Sequence, residues 1–308
     1  MTRMRMMQTT IMNNNTDFSE GLIIKSIGGL YSVESPEGIF ECVPRGIFRK
    51  EGKSPCVGDR VKISFKNGEN IIEEIFPRRN HLIRPPLANM DQLIFVVSMC
   101  EPSPNLTLLD KFIAIAEFKK ITPVIALTKI DLDKFDNIFS IYNSAGIKVM
   151  IIDYDDRSTV EKLKEQLKER ISAFTGNTGV GKSTLLNAIA PEISAPTGEI
   201  SKKLGRGRHT TRHAELYKLD NGGYIADTPG FSTFETNKYD IIKKEELCDC
   251  FTEFAAFAGK CRFSDCSHTK EKGCAVIEAV SDGKIAQSRH ESYCQMYEEA
   301  RNIKLWEL

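Results

Sequence analysis

The chain has 308 residues, 41% of them hydrophobic and 27% charged, which is too long for one ordinary core and long enough for two or three domains. No apolar run approaches the roughly 18 residues that a bilayer-spanning helix needs, so a transmembrane reading is excluded. Lys plus Arg equals Asp plus Glu at 42 each; bulk charge therefore gives no support for a nucleic-acid partner, although it leaves room for a local basic patch.

Residues 1–17 begin with a Met-rich, weakly basic stretch that lacks the apolar centre of a secretory signal, and they read as a disordered leader or the product of an early start codon. Residues 18–77 give short β-forming runs (GLIIKSIGG, LYSVES, GIFECVPRG, VGDRVKISF, NIIEEIF) between Gly, Pro and Asn punctuation. Strands this short and this closely spaced predict a small barrel or sandwich. Residues 78–88, with two prolines and no periodicity, read as a linker. Across 89–239 strand-like and helical stretches alternate, which predicts parallel βαβ units in a doubly wound α/β sheet. From 240 to 308 the chain turns helical around a cluster of Cys and His, giving a third and smaller unit.

Within the α/β region, residues 176–183 spell GNTGVGKS between a β-like ISAFT and a helical STLLNAI. This is the strand, loop and helix context of a phosphate-binding P-loop. Gly176, Gly179 and Gly181 let the backbone curl so that N–H groups of Asn177, Thr178 and Val180 face phosphate oxygens at the positive end of the next helix. Lys182 supplies a point charge to the β- and γ-phosphates and Ser183 a hydroxyl to Mg2+. Thr184 completes the set expected around the nucleotide. Farther on, Asp227 and Gly230 open and close a D-x-x-G at a strand end, suited to hold magnesium through water and to sense the γ-phosphate. Between the two lies the basic stretch 205–212, in which one threonine, Thr211 before Thr210, is expected to close over magnesium as a switch.

The base-reading signal lies upstream. Thr128, Lys129, Ile130 and Asp131 end the β-like PVIALT and resemble the N-K-x-D guanine motif. An ionised Asp131 is acceptor-only and can take both the N1–H and the 2-amino group of guanine, whereas adenine would leave it unpaired. Lys129 can lay its aliphatic stem along the base. Thr128 departs from the usual asparagine and puts one contact in doubt. The usual second base contact, a Ser-Ala pair after the next strand, is not evident in IKVMIIDYDD. Ordinary GTPases place the base motif last; here it comes first, so the P-loop GTPase fold is circularly permuted. Ligand contacts depend on where strand ends lie in the sheet, and such a cut preserves them.

The nine cysteines are an odd count, and three crowd into 261–274 beside a histidine, a pattern that suits a reduced compartment and a metal better than a disulfide framework. Cys261, Cys266, His268 and Cys274 follow C-x4-C-x-H-x5-C, four ligands that fill a structural Zn2+ shell. Cys248 and Cys250 are rival ligands.

The small β-unit, the permuted motif order and the Cys/His tail together resemble the RsgA (YjeQ) family of ribosome small-subunit-dependent GTPases. The resemblance covers residues 18–305 and includes GRHTT at 207–211, DTPGF at 227–231 and CRFSDCSHTKEKGCAV at 261–276. It implies an OB-fold in the N-terminal β-barrel, binding of rRNA on the small ribosomal subunit, a part in late subunit maturation, and GTP hydrolysis that the subunit stimulates. Expected cofactors are GTP/GDP, Mg2+ and one structural Zn2+; the expected state is a cytoplasmic monomer with no membrane partner. Lys202, Lys203, Arg206, Arg208 and Arg212 form a basic run near the site, either an RNA contact or a solvated switch loop. Many GTPases have glutamine after D-x-x-G, where this chain has Phe231, which cannot orient water. His209 is the candidate for that task, the alternative being a surface histidine. Rival readings are a nucleotide-gated RNA-binding module with vestigial hydrolysis, an ATPase or kinase, and a permuted GTPase acting on the large subunit.

Overall fold

In the computed structural model the chain is described over residues 17–66, 68–83, 85–131, 136–191, 214–227 and 241–303. Alternation of apolar and polar residues gives five N-terminal strands: β1 (Asp17–Ile27), β2 (Leu30–Ser35), β3 (Gly38–Pro44), β4 (Arg60–Lys66) and β5 (Glu69–Ile75). They pair in the order β1-β2-β3-β5-β4, and β4 returns to β1 from Asp17↔Phe65 to Leu22↔Arg60, so the sheet closes into a barrel. Ile23, Val33, Val61, Ile63 and Ile72 are fully buried inside it, one face of each strand supplying the core. A single helical turn, α1 (Ile47–Lys50), lies between β3 and β4. Asp17, assigned by sequence to the leader, is the first residue of β1; residues 1–16 lie outside those described.

The segment 78–88 is more than a connector. It carries two short strands, β6 (His81–Leu82) and β7 (Leu87–Ala88), paired to each other, with Leu82, Leu87 and Ala88 buried. Arg78 forms an ion pair with the fully buried Asp59 at 2.7 Å, and the Asn80 amide donates to the Met90 carbonyl at 2.8 Å. Prolines hide such a segment from periodicity arguments, because two-residue strands have no period to show.

The remaining strands are β8 (Gln92–Ser98), β9 (Thr122–Thr128), β10 (Lys148–Ile151), β11 (Ile171–Thr175), β12 (Glu215–Lys218) and β13 (Tyr224–Asp227). Their order is β10-β9-β8-β11-β13-β12, parallel except for β12. β8 reads as a nearly unbroken apolar run because both faces of a parallel sheet are covered. Leu93 and Phe95 face a core shared with α2 (Leu106–Phe118) and α3 (Asp136–Ser144). Ile94 and Val96 face the opposite core, shared with α4 (Arg157–Leu167) and α5 (Lys182–Ile189). Asn105 caps α2 by accepting from the Leu108 N–H at 3.0 Å, and Asp156 caps α4 by accepting from the Ser158 N–H at 2.9 Å.

Barrel and α/β sheet are one ribbon, since β1 pairs with β12 at Lys25↔Glu215. Lys25 meets Glu215 at 2.8 Å, and Glu34 of β2 takes Lys218 and, at 2.7 Å, the Tyr224 hydroxyl.

The C-terminal residues depart from a uniform helical expectation. Short 3-10 turns cover Cys248–Cys250, Thr252–Phe254 and Ala258–Lys260, and among the described residues of this unit α-helix begins after the cysteine cluster, as α6 (Ala275–Ser281) and α7 (Gln287–Arg301). Phe251, between the first two turns, and Phe254, at the end of the second, are both fully buried with ring centroids 5.3 Å apart, and both reach the same core. That core includes Tyr293 and Met296 of α7 together with Ala114 and Ile115 of α2, which seats the C-terminal unit on the helix that follows β8.

Candidate functional site

Parallel strands put all their C-terminal ends on one edge of a sheet, where doubly wound proteins bind ligands. Here that edge collects Thr128 from β9, Thr175 from β11 and Asp227 from β13. The strand ends that lead into the T-K-x-D string and the glycine-rich loop are thus close in space to Asp227, although the three are far apart along the chain.

After Thr175 the backbone turns sharply at Gly176, where an added Cβ would lie 2.4 Å from the Val96 carbonyl oxygen; only glycine fits there. Gly181 takes the left-handed conformation at φ 87° and starts α5, so Lys182 is that helix's first residue. Asn177, Thr178, Gly179, Ser183 and Thr184 are exposed while Val180 is buried. The loop is therefore anchored at one point and open to solvent on the side where amides and hydroxyls can meet phosphates.

The anchor is Thr128. Its side chain is fully buried and its hydroxyl donates to the Val180 carbonyl at 2.7 Å. That hydroxyl ties the end of β9 to the loop that follows β11. Lys129 adopts a left-handed backbone, φ 54°, and its ammonium donates to the Glu101 carbonyl. Ile130 is half-buried and Asp131 exposed. Asp227 ends β13, paired across to Glu215. Thr211, His209, Gly230, Phe231 and the basic residues Lys202, Lys203, Arg206, Arg208 and Arg212 lie outside the described residues.

Sequence inspection missed two contributors. Glu101 sits in the loop between β8 and α2, where nothing in its neighbours marks it; its role is a backbone carbonyl, which any residue carries. Tyr154 follows β10, and its hydroxyl lies close to Gly181.

The second candidate site lies about the C-terminal turns. The ligand atoms of Cys261, Cys266, His268 and Cys274 all fall within 4.8 Å of one another. His268 Nδ1 is 3.4 Å from the sulfurs of both Cys261 and Cys274, and those sulfurs are 3.8 Å apart. A tetrahedral zinc with ordinary bond lengths would space two sulfurs about 3.8 Å apart and a sulfur and nitrogen about 3.5 Å apart. The residues present fit a closed zinc shell. Burial lowers the His268 pKa and so favours the neutral imidazole that a metal requires. Cys248 and Cys250 fall outside the group.

Partners beyond the ligands fix this loop. Burial works against ionised Glu271, but the Ser267 hydroxyl and the Lys270 and Ser267 N–H groups outweigh it and hold the carboxyl down to about 2. From α7, the His290 ring donates to the His268 carbonyl at 2.7 Å and the Tyr293 hydroxyl to the Ser267 carbonyl at 2.9 Å. Immediately before His290 on the same helix, the buried Arg289 pairs with Asp110 of α2 at 2.8 Å and Glu253 at 2.7 Å, so one helix grips both the Cys/His loop and the α/β domain.

The sequence profile of the RsgA GTPase family matches residues 75–237, and that of the RsgA N-terminal domain matches 20–72. A small ribosomal subunit biogenesis GTPase RsgA from Alkaliphilus metalliredigens is 44% identical, the match covering 92% of this chain and 98% of that one. Its namesake from Caldanaerobacter subterraneus subsp. tengcongensis is 45% identical, with 92% and 96% covered. Among solved structures, YjeQ from Thermotoga maritima superposes with a TM-score of 0.79 at 36% identity, covering 93% of this chain and all of that one. YloQ, a circularly permuted GTPase, gives 0.78 at 35% identity, covering 94% and 96%. The permuted strand order has its counterpart in that neighbour, and with relatives matched along nearly their whole length this chain belongs to the RsgA GTPase family.

Proposed function

We propose that the chain hydrolyses GTP to GDP and phosphate as a switch in biogenesis of the small ribosomal subunit, engaging the subunit and its rRNA late in maturation, as a cytoplasmic monomer. The observation that carries this reading is the meeting of the Thr128–Val180 tether with three parallel strand ends on one sheet edge, in a chain whose relatives bear that function in their names. Among the described residues no helix is long and apolar enough to cross a membrane.

In this reading Asp131 accepts from the N1–H and 2-amino groups of guanine, and Lys129 flanks the base. The amides of residues 177–183 and the Lys182 ammonium hold the β- and γ-phosphates. Ser183, Thr211 and Asp227 would hold magnesium, which when bound neutralises charge on the phosphates. Gly230 senses the γ-phosphate, and His209 orients the attacking water in place of the glutamine that Phe231 displaces. Cys261, Cys266, His268 and Cys274 hold zinc as a structural centre, its closed shell leaving no position for substrate.

Phosphate release from GTP and from ATP, with and without purified small subunits, tests the reading. Turnover selective for GTP and accelerated by subunits is expected. Turnover that subunits leave unchanged would favour an RNA-binding module with vestigial hydrolysis. Co-sedimentation with subunits should be stronger in a non-hydrolysable GTP analogue than in GDP. His209→Ala should abolish the acceleration while leaving nucleotide binding intact; unchanged stimulated turnover removes His209 from the mechanism.

A further inference from the structure

β8 ends at Ser98 and α2 begins at Leu106, so the residues between them carry the chain from the sheet to the helix. Both ends of this loop are fixed, the first by the pairing of Ser98 with Thr128 and the second by the Asn105 cap. Polar groups near its start go to three different partners. Ser98 is 1% exposed, and its hydroxyl donates forward to the Pro102 carbonyl at 2.7 Å, which closes residues 98–102 into a compact turn. The Met99 N–H donates to the Thr128 carbonyl at 3.1 Å. The Glu101 carbonyl, inside the turn, accepts from the Lys129 ammonium.

Two residues at this junction hold a backbone that side chains other than glycine disfavour, Glu101 at φ 48° and Lys129 at φ 54°. Strain of this kind persists where surrounding contacts over-determine it, and it gathers at functional sites. The P-loop approaches the same place. A Cβ added at Gly179 would lie 3.6 Å from Pro102 Cδ and 4.0 Å from the Glu101 carbonyl oxygen. Ser98 and Pro102 also line one cavity with Gly176, Asn177 and Val180. The Lys129 ammonium, bonded to that carbonyl oxygen, is therefore held where the T-K-x-D string meets the glycine-rich loop.

We propose that Ser98 is a positioning residue for nucleotide binding: its hydroxyl closes the 98–102 turn, and the Glu101 carbonyl of that turn fixes the Lys129 ammonium beside the P-loop. The proposal rests on the nucleotide reading above and adds to it a residue that acts through Lys129. Lysine needs such a holder. Its flexible four-carbon stem loses freedom if it is ordered only when ligand arrives, whereas a stem already fixed loses little and leaves more of the contact energy to affinity. Without the Ser98 hydroxyl the Pro102 carbonyl loses its donor, the turn opens, and the oxygen that holds Lys129 is no longer kept in place.

The test is calorimetric titration of the full chain with GDP and with xanthosine diphosphate, for wild type, Ser98→Ala, Ser98→Thr, Lys129→Met, the Ser98→Ala/Lys129→Met double variant and Asp131→Asn. Ser98→Ala should weaken GDP binding roughly fivefold, the effect of ordering one long side chain on binding. Lys129→Met keeps an apolar stem without the ammonium and should weaken it by roughly the same factor. Because Ser98 acts through Lys129, the double variant should bind GDP within about twofold of Lys129→Met alone. Ser98→Thr, which keeps the hydroxyl, should stay within about twofold of wild type. A merely structural role for Ser98 would multiply the two losses in the double variant, and that result overturns the proposal. So does a Ser98→Ala variant that binds GDP like wild type, or a Ser98→Thr loss equal to that of alanine. Asp131→Asn should move preference to the xanthosine nucleotide; if GDP stays preferred, the base-site reading itself is wrong, whereas a shift beside an unaffected Ser98→Ala removes Ser98 alone. A thermal melt of each nucleotide-free variant separates lost affinity from lost folding, and Ser98→Cys, close to serine in size and only a weak donor, repeats the cycle if alanine does not fold.

Discussion

Arg289 offers the sharpest test of how the C-terminal unit is held. Its guanidinium is 1% exposed and pairs with Asp110 at 2.8 Å and Glu253 at 2.7 Å. It also lies 4.6 Å from the Phe251 ring centroid. Truncation in Arg289→Ala leaves two buried carboxylates with no counter-charge. Asp110 would retain only the Tyr142 hydroxyl, at 2.8 Å on Oδ1, because its other oxygen already has no partner. Removing one member of such a buried pair costs ~3–5 kcal/mol, against total domain stabilities of about 5–15 kcal/mol. Arg289→Ala should therefore unfold the C-terminal unit well before the α/β domain in urea, read as zinc released to a chromogenic chelator and, separately, as far-ultraviolet circular dichroism. Asp110→Asn should cost less than about 1 kcal/mol, since its amide oxygen can keep both Oδ1 contacts and one of two negative charges is removed. In the double variant, Asp110→Asn should recover part of the arginine loss, a coupling of about 1–3 kcal/mol between contacting residues. Costs that simply add, or an Arg289→Ala variant within about 1 kcal/mol of wild type, would refute the claim that the ion cluster fastens the unit.

Thr128→Ala should weaken GDP and GTP binding about tenfold, because the Val180 carbonyl loses its 2.7 Å donor and an unpaired buried acceptor costs ~1–3 kcal/mol; calorimetry showing unchanged affinity would remove the tether from the site. Cys274→Ser, or treatment with a strong chelator, should cut bound zinc measured by atomic absorption from one per chain and melt α6 and α7, while GDP binding persists. Burial opposes ionised Glu34, but hydrogen bonds from Lys218 and Tyr224 and the Lys218 charge outweigh it and lower its pKa. A lowered folded pKa stabilises above the unfolded value of 4.5 and the gain is lost as pH falls through the folded pKa. The melting-temperature gap between wild type and Glu34→Gln should accordingly be constant above about pH 5.5 and shrink below the unfolded pKa; a gap that widens on acidification would contradict the assignment.

The Cys/His cluster was legible because it is a compact string whose spacing is its chemistry, and the structure brings its four ligand atoms together; the glycine-rich loop at 176–183 and the T-K-x-D string stand out by the same kind of spacing. The doubly wound sheet was legible from the alternation of apolar runs and helical faces. The Thr128 tether was not: a threonine in place of asparagine looks like a lost contact until β8, β9 and β11 are side by side and the hydroxyl is seen to reach a carbonyl 52 residues away. Arg289 is hidden for a similar reason, one basic residue in a helix of charged ones, singled out only when α7 crosses α2. The 3-10 turns before the cluster escaped because Phe251 and Phe254, three apart, fit α-helical and 3-10 spacing alike. Residues 81–88 escaped because a two-residue strand leaves no pattern.

The pairing of β1 with β12 makes the barrel's first strand a near neighbour of β13, which ends on Asp227. A hinged appendage could swing without consequence for its host. Here, any tilt of the barrel loads the Lys25↔Glu215 pairing, and that load passes through β12 to β13 and its last residue, Asp227.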